Sequence, residues 1–343
     1  MKPRPCKPRK VLAFPQPGPD VPSRRLRILG FRDRFRRAGV RFAVYEETGS
    51  GFWKGLRNLY RFLTSDVFLL QGQVFRWRRL LAAKLLRKRL VYLIDDAAFI
   101  DRRSGREDPE GFRKLRRFLR HCHLIVLCNR LLQERLTQPE QRVLILPTIP
   151  LETPTVKPRS GRGLPRLGWV GTATNLPYLE TLDGVLSELQ SKHRFELTVV
   201  GPAGAQPDLQ TAHRYLVWDL DIDRTLADRF DVGLLPLPDD QWTRSRCGYQ
   251  ILRYQSLGIP IVVSAAGIDT DLIEHGVTGL LAKDEREWHD CLELVLENPN
   301  LVSMMSARIL TRYAERYSPE RNFRALFEAM CELVAAKRRR KDA

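Results

Sequence analysis

The sequence predicts two α/β/α domains, each a parallel sheet with helices on both faces. Three observations predict it. Short apolar runs alternate with amphipathic stretches along almost all of the 343 residues, a proline-rich break interrupts that rhythm near the middle, and the charge changes sign across the break. Residues 1–160 hold 36 Lys/Arg against 14 Asp/Glu, a net +22, whereas residues 161–343 hold 22 against 26, a net −4. Parallel strands need a crossover, usually a helix, so strand–helix alternation is the pattern of a doubly wound sheet.

In the first half the expected strands are Lys10–Phe14, Arg41–Tyr45, Asp66–Gln71, Leu90–Ile94, His123–Cys128 and Arg142–Leu146. Each is rich in Val, Ile, Leu or Phe and too short for a typical helix. Between them, Val21–Ala38, Phe75–Arg89 and Glu110–Arg120 repeat apolar residues every three or four positions, as helices do. Thr148–Pro165 then carries Pro150, Pro154, Pro158, Pro165 and two glycines, the composition of a linker. Strands resume at Arg166–Val170 and continue through Phe195–Val200, Tyr215–Val217, Asp231–Leu237, Pro260–Ser264 and Gly279–Ala282. Helices over Glu285–Glu297, Leu301–Tyr317 and Pro319–Ala336 close the chain. The expected division is an N-terminal Rossmann-like domain over 1–155 and a second over 156–318. Residues 319–343 form a C-terminal helix that crosses back to the first domain and ends in the basic run Lys337–Lys341. A crevice between two such domains is the default ligand site.

Composition narrows the function classes. With 43% hydrophobic residues the chain has ample core, and no low-complexity tract argues for disorder. Six scattered cysteines show neither disulfide nor zinc spacing, which fits a reducing cytoplasm. The basic start, Met1–Lys10, is followed by no apolar signal core, and no stretch approaches the roughly 20 apolar residues of a membrane span. The expected location is the cytoplasm, with peripheral contact at the inner membrane face as an option. An Arg-rich cationic half suits polyanions: anionic lipid, a phosphorylated acceptor or nucleic acid. Nucleic acid is set aside for want of an aromatic stacking platform or a zinc or helix-turn-helix signature. The charge can equally be a solvated face.

The informative segment is Asp231–Ser264. A strand there ends in a polar loop carrying Arg244 and Arg246, Gly248 opens a helix, Gly258 ends it, and Pro260 starts the next strand. Unpaired N–H groups and the positive end of a helix dipole, preceded by two arginines, suit a diphosphate.

Asp231–Asp240, then Trp242-Thr243-Arg244, Cys247-Gly248-Tyr249 and Leu257–Ser264, resembles the donor-site region of group 1 (family 4) glycosyltransferases of the GT-B fold. Ile273–Leu281 is similar to that family's next loop, and Leu167–Thr172 with Asn175–Leu179 to the glycine-containing turn opening its donor domain. Tyr92–Ala97 and Pro22–Arg27 resemble acceptor-domain segments of one branch. The similarity spans roughly residues 10–300, with the motifs in family order.

The resemblance implies transfer of a sugar from a nucleotide diphosphate sugar to a hydroxyl of a glycan or lipid-linked acceptor, with retention of configuration. It implies no cofactor and no metal, the nucleotide sugar being a co-substrate, in glycan or surface-polysaccharide biosynthesis. Diphosphate would lie near Arg244, Arg246 and the Cys247–Tyr249 turn, with Gly171 and Thr172 approaching it through their backbone. Val217 and Trp218 fall where the family holds the nucleobase, and Gln250 and Arg253 complete the donor side. Gly18, Arg24 and Arg25 would face the acceptor. Asp95 and Asp96, at a strand's C-terminal end, can orient an acceptor hydroxyl or else cap a helix or bond nearby arginines. The sequence departs from the family at one signature: its two glutamates, with seven residues between them, become Ser245 and Arg253. A guanidinium only donates, so Arg253 cannot accept from ribose hydroxyls as that glutamate does. A descendant that binds without catalysis is therefore the alternative. The Asp219–Asp223 acids read as the start of a helix rather than a metal site, and the histidines show no ligand spacing.

Overall fold

Six strands of the first half lie side by side in the order β2-β1-β3-β4-β5-β6, every neighbouring pair parallel. They are β1 (Lys10–Phe14), β2 (Arg41–Val44), β3 (Val67–Gln71), β4 (Arg89–Ile94), β5 (Leu124–Leu127) and β6 (Val143–Ile145). The second half repeats the architecture as β12-β11-β10-β7-β8-β9, again all parallel. Its strands are β7 (Arg166–Val170), β8 (Glu196–Gly201), β9 (Arg214–Val217), β10 (Val232–Leu235), β11 (Ile261–Ser264) and β12 (Gly279–Ala282). The computed structural model describes residues 7–16, 24–45, 52–95, 97, 99–100, 106–151, 163–266 and 272–342, with side chains to 336. It divides into two units, Met1–Leu151 with Pro319–Ala343, and Glu152–Ser318. The fold class read from alternation is the one observed.

In the first unit the pleat sends alternate residues to opposite faces. Val11, Val67, Leu69, Val91 and Leu93 face a core completed by α1 (Arg32–Arg37) and the C-terminal helix Pro319–Asp342. Phe35 of α1 lies 5.1 Å from Phe42 and 5.0 Å from Phe323. On the other face Phe68 meets Phe62 of α2 (Phe52–Thr64) at 4.6 Å, and Phe75 just ahead of α3 (Trp77–Leu85) at 6.3 Å. Phe75 in turn meets Phe118 of α4 (Pro109–Leu119), and α5 (Arg130–Leu136) follows β5.

One expected element differs. The single helix read over Val21–Ala38 is instead a π turn (Arg24–Ile28), a 3-10 turn (Leu29–Phe31) and α1, its first three residues lying outside the described ones. Tertiary contacts override local periodicity here. Arg27 turns inward and donates to the Ile94 and Leu146 carbonyls. Gly30 passes so close to Leu151 that a Cβ would sit 1.8 Å from its Cδ1.

In the second unit α6 (Leu176–Glu180) and α7 (Asp183–Lys192) follow β7. α8 (Leu220–Arg224) follows β9, and α9 (Gln241–Arg244) and α10 (Tyr249–Ser256) join β10 to β11. α11 (Glu285–Glu297) and α12 (Pro299–Arg316) close it. Trp169, Trp288 and Leu292 fill one side of its sheet, and Phe230, Ile251 and Tyr254 the other. The strand order reverses direction between β7 and β10, the place where open α/β sheets open a crevice at the strands' C-terminal ends. No helix among the described residues is long and apolar enough to cross a membrane.

Candidate functional site

The crevice of the second unit begins where β7 and β10 separate. They pair only at Leu167 and Gly168, short of the end of β7. Beyond that, α10 takes the place of the missing strand partner: the Val170 N–H donates to the Tyr254 hydroxyl at 3.1 Å, and the Gln250 amide donates to the Val170 carbonyl. The N-terminal turn of α10 is thus fastened to the strand end that leads into Gly171 and Thr172. Gly248 starts that helix in the left-handed region, φ 63°, which a glycine adopts without strain. Gln250, expected on the donor side, therefore serves as a clamp.

Gly171, expected to approach the diphosphate through its backbone, is fixed within its own sheet. Its N–H donates to the Val200 carbonyl at 3.0 Å, and a Cβ on it would lie 2.4 Å from the Trp169 indole. The absent side chain lets the turn pass over Trp169. Thr172 precedes a 3-10 turn and bonds Thr174 through the hydroxyls at 2.9 Å.

After β10, Asp240 caps α9 by accepting from the Thr243 N–H at 2.7 Å. Arg244 forks onto Asp239, Nε to Oδ1 at 2.7 Å and Nη2 to Oδ2 at 2.8 Å. That hydrogen-bonded guanidinium holds the Asp239 carboxyl below its ordinary range. Arg246 and Tyr249 are half-buried, and Cys247, between them in sequence, is buried. The Ser245 and Thr243 hydroxyls are buried without a hydrogen-bond partner among the described residues. At the end of β9, Val217 is 50% and Trp218 38% exposed, with the Trp218 N–H anchored on the Gly201 carbonyl at 2.7 Å. The next residue, Asp219, caps α8 by accepting from the Ile222 N–H at 2.7 Å, as the acidic run had implied.

Arg253 is buried, and its Nη2 lies 2.7 Å from Asp223 Oδ2 while also donating to the Asp223 carbonyl. Sequence reasoning missed Asp223 because the partners stand thirty positions apart. It also missed a cavity of about 270 Å³ at the C-terminal ends of β10, β11 and β12, lined by Tyr178, Pro236, Leu237, Ser264, Lys283 and Trp288. The signal was available in principle: these residues follow predicted strands. In the Ile273–Leu281 loop, His275 Nδ1 accepts from the Leu281 N–H at 3.0 Å and Glu274 pairs with Arg312, so both hold the loop's own shape. At the opposite, N-terminal edge of the sheet, His193, Glu293 and Glu297 bring ligand-type atoms within 4.8 Å of one another, a grouping invisible to local spacing.

In the first unit Asp95 directly follows β4 and is held by neighbours. Arg27, itself buried, pairs with its Oδ1, and the Gln71 amide donates to Oδ2. The bond to an arginine, one of the roles left open for this carboxylate, is formed. Arg24 is half-buried and Arg25 exposed, flanking Arg27, which sequence reasoning passed over. Asp96 and Gly18 lie outside the described residues.

Residues 164–298 match the family model described as "Glycosyl transferases group 1". No curated protein matches the chain in sequence. Among solved structures, Anabaena Alr3699/HepE in complex with UDP is 14% identical, with TM-score 0.67 over 94% of this chain and 100% of its own. The same protein is also known in complex with UDP-glucose. Sucrose-phosphate synthase (tll1590) from Thermosynechococcus elongatus is 13% identical, with TM-score 0.71 over 96% of this chain and 100% of its own. A glycosyltransferase from Rickettsia africae ESF-5 is 13% identical, with TM-score 0.65 over 95% and 98%. Residues 164–298 are therefore similar to the group 1 glycosyl transferases, and the chain carries the two-domain GT-B fold of these neighbours.

Proposed function

We propose that this group 1 glycosyltransferase moves a sugar from a UDP-sugar to a hydroxyl on an anionic glycan or lipid-linked acceptor, with retention of configuration and without a metal. The observation that carries the reading is the clamp of Gln250 and Tyr254 on Val170, which joins the α10 N-terminus to the Gly171–Thr172 turn at the sheet's switch point. The positive end of the α10 dipole lies at that turn, as a diphosphate requires. UDP is chosen because the HepE neighbour binds it.

The chemical need is to stabilise charge on the departing diphosphate. Arg246 and the α10 N-terminus supply fixed positive potential, the kind of stabilisation worth most when it needs no reorganisation, and Arg244 adds to it. Arg244 reaches that role by leaving Asp239. Val217 and Trp218, half-exposed at the end of β9, offer the base an apolar face. Ribose hydroxyls need an acceptor; Arg253 is not one, and Asp223, the carboxylate it orients, takes that part. The net +22 of residues 1–160 suits an anionic acceptor at the inner membrane face, with Arg24 and Arg25 contributing.

A second reading, a binding protein without transfer, is favoured by the burial of Arg253 against Asp223, which removes the family's glutamate without exposing its replacement. Hydrolysis of a panel of UDP-, GDP- and ADP-sugars by the full chain separates the two. Release of UDP from one sugar, lost in an Arg244→Ala/Arg246→Ala double variant, supports the enzyme. UDP binding with no turnover of any sugar supports the second reading.

A further inference from the structure

α2 is amphipathic in the inverted sense. Six of its seven large apolar residues point to solvent: Phe52 and Trp53 are each 78% exposed, and Leu56, Leu59, Tyr60 and Leu63 are all exposed. At 3.6 residues per turn these six positions form one stripe roughly a third of the circumference wide. The inward side carries the buried Asn58 with half-buried Lys54, Arg61 and Phe62. α3 repeats the pattern at i, i+4 and i+8, with Trp77 68%, Leu81 48% and Leu85 75% exposed. Both helices cover the Phe68 face of the first sheet, Phe62 reaching it from α2 and Phe75 from the start of α3. Ten of the nineteen exposed large apolar residues among those described fall within residues 52–86. Isolated exposed leucines need no explanation, but a contiguous aromatic-rich patch marks an interaction surface.

Charge selects the occupant. Residues 52–87 hold eight Lys/Arg and a single acid, Asp66, whose carboxylate already accepts from the Arg9 and Lys10 N–H groups. Arg57, Arg76, Arg78, Arg79, Lys84 and Arg87 are all exposed around the apolar stripes. A second copy of this chain would set the same cations against one another. An anionic bilayer surface meets both features: indole and leucine side chains enter the headgroup boundary while long cationic side chains reach the phosphates. We propose that α2 and α3 form a membrane-docking face specific for anionic lipid, lying flat on the bilayer without spanning it. This deepens the reading of a lipid-borne acceptor but rests on no donor residue.

The test is co-sedimentation of the full chain with phosphatidylglycerol/phosphatidylcholine vesicles and with phosphatidylcholine alone, alongside tryptophan emission. The expected result is binding to the anionic vesicles, weakened at high salt, with a blue shift from Trp53 and Trp77. Trp53→Ser/Leu56→Ser and Trp77→Ser/Leu81→Ser variants should each bind at least tenfold more weakly. Their unfolding midpoints and UDP response should stay near wild type, since every changed side chain is exposed. Equal binding by wild type and variants would overturn the proposal. So would absence of wild-type binding, or a dimer in sedimentation equilibrium that the same variants dissolve. Sugar transfer is not read, so failure here leaves the donor reading standing, and loss of transfer leaves this one standing.

Discussion

A buried guanidinium needs a partner, and Arg253 finds it in Asp223 across thirty residues of sequence. Removing one member of such a pair leaves an uncompensated buried charge, at about 3–5 kcal/mol. Asp223→Asn should therefore lower the urea-unfolding free energy by about that much, while Arg253→Met should lose clearly less, because the partly exposed Asp223 can be hydrated. It should also weaken UDP more than Arg253→Met does; the reverse order would remove Asp223 from the ribose site. Arg244 poses a different question, since it is exposed and paired with Asp239. Asp239→Asn releases it, and we expect UDP to bind several-fold tighter by calorimetry; an unchanged affinity would leave the diphosphate to Arg246 and the helix terminus. The Arg253 substitution was legible in the sequence, but its geometry was not. Nothing local in Cys247–Gly258 points to an acid on α8.

Strand bounds were the most legible elements. Lys10–Phe14, Arg166–Val170 and Gly279–Ala282 are observed as read, because buried parallel strands announce themselves as short Val/Ile/Leu runs. The helix expected over Val21–Ala38 is broken from Arg24 onward into a π turn, a 3-10 turn and α1, since its periodicity hides the inward turn of Arg27 and the close pass of Gly30. α10 shows how an element can be recognised by sequence while its function is not: Gly248 marks its start, yet the clamp on Val170 appears only in three dimensions. Gly171→Ala should shift or displace the Trp169 indole and destabilise the second unit by about 1–3 kcal/mol, read as a lower denaturant midpoint. On the C-terminal helix, Glu320 accepts from Arg34 at 2.6 Å, which holds its carboxyl below the ordinary glutamate range. A depressed folded value means the pair contributes above the unfolded value and is lost as pH falls through the folded one. Glu320→Gln should thus cost at most about 1 kcal/mol at neutral pH, and the difference from wild type should vanish in acid.

At the scale of the whole chain, the charge split and the alternation were both readable in one dimension, and the six-stranded sheets follow from the second. The outward apolar face of α2 was not read, because its helical period matches that of any core-facing helix; only the buried Asn58 beneath it reveals the inversion. The central claim is a nucleoside diphosphate site at the β7–β10 switch point of the second unit. The most direct measurement is thermal unfolding of the full chain with UDP, for wild type and for Arg244→Ala/Arg246→Ala. UDP at a hundredfold excess over its Kd should stabilise wild type by about 2.7 kcal/mol, seen as a rise of a few degrees in Tm. The double variant should show no rise. Equal stabilisation of both proteins, or none of the wild type by UDP, would contradict the account.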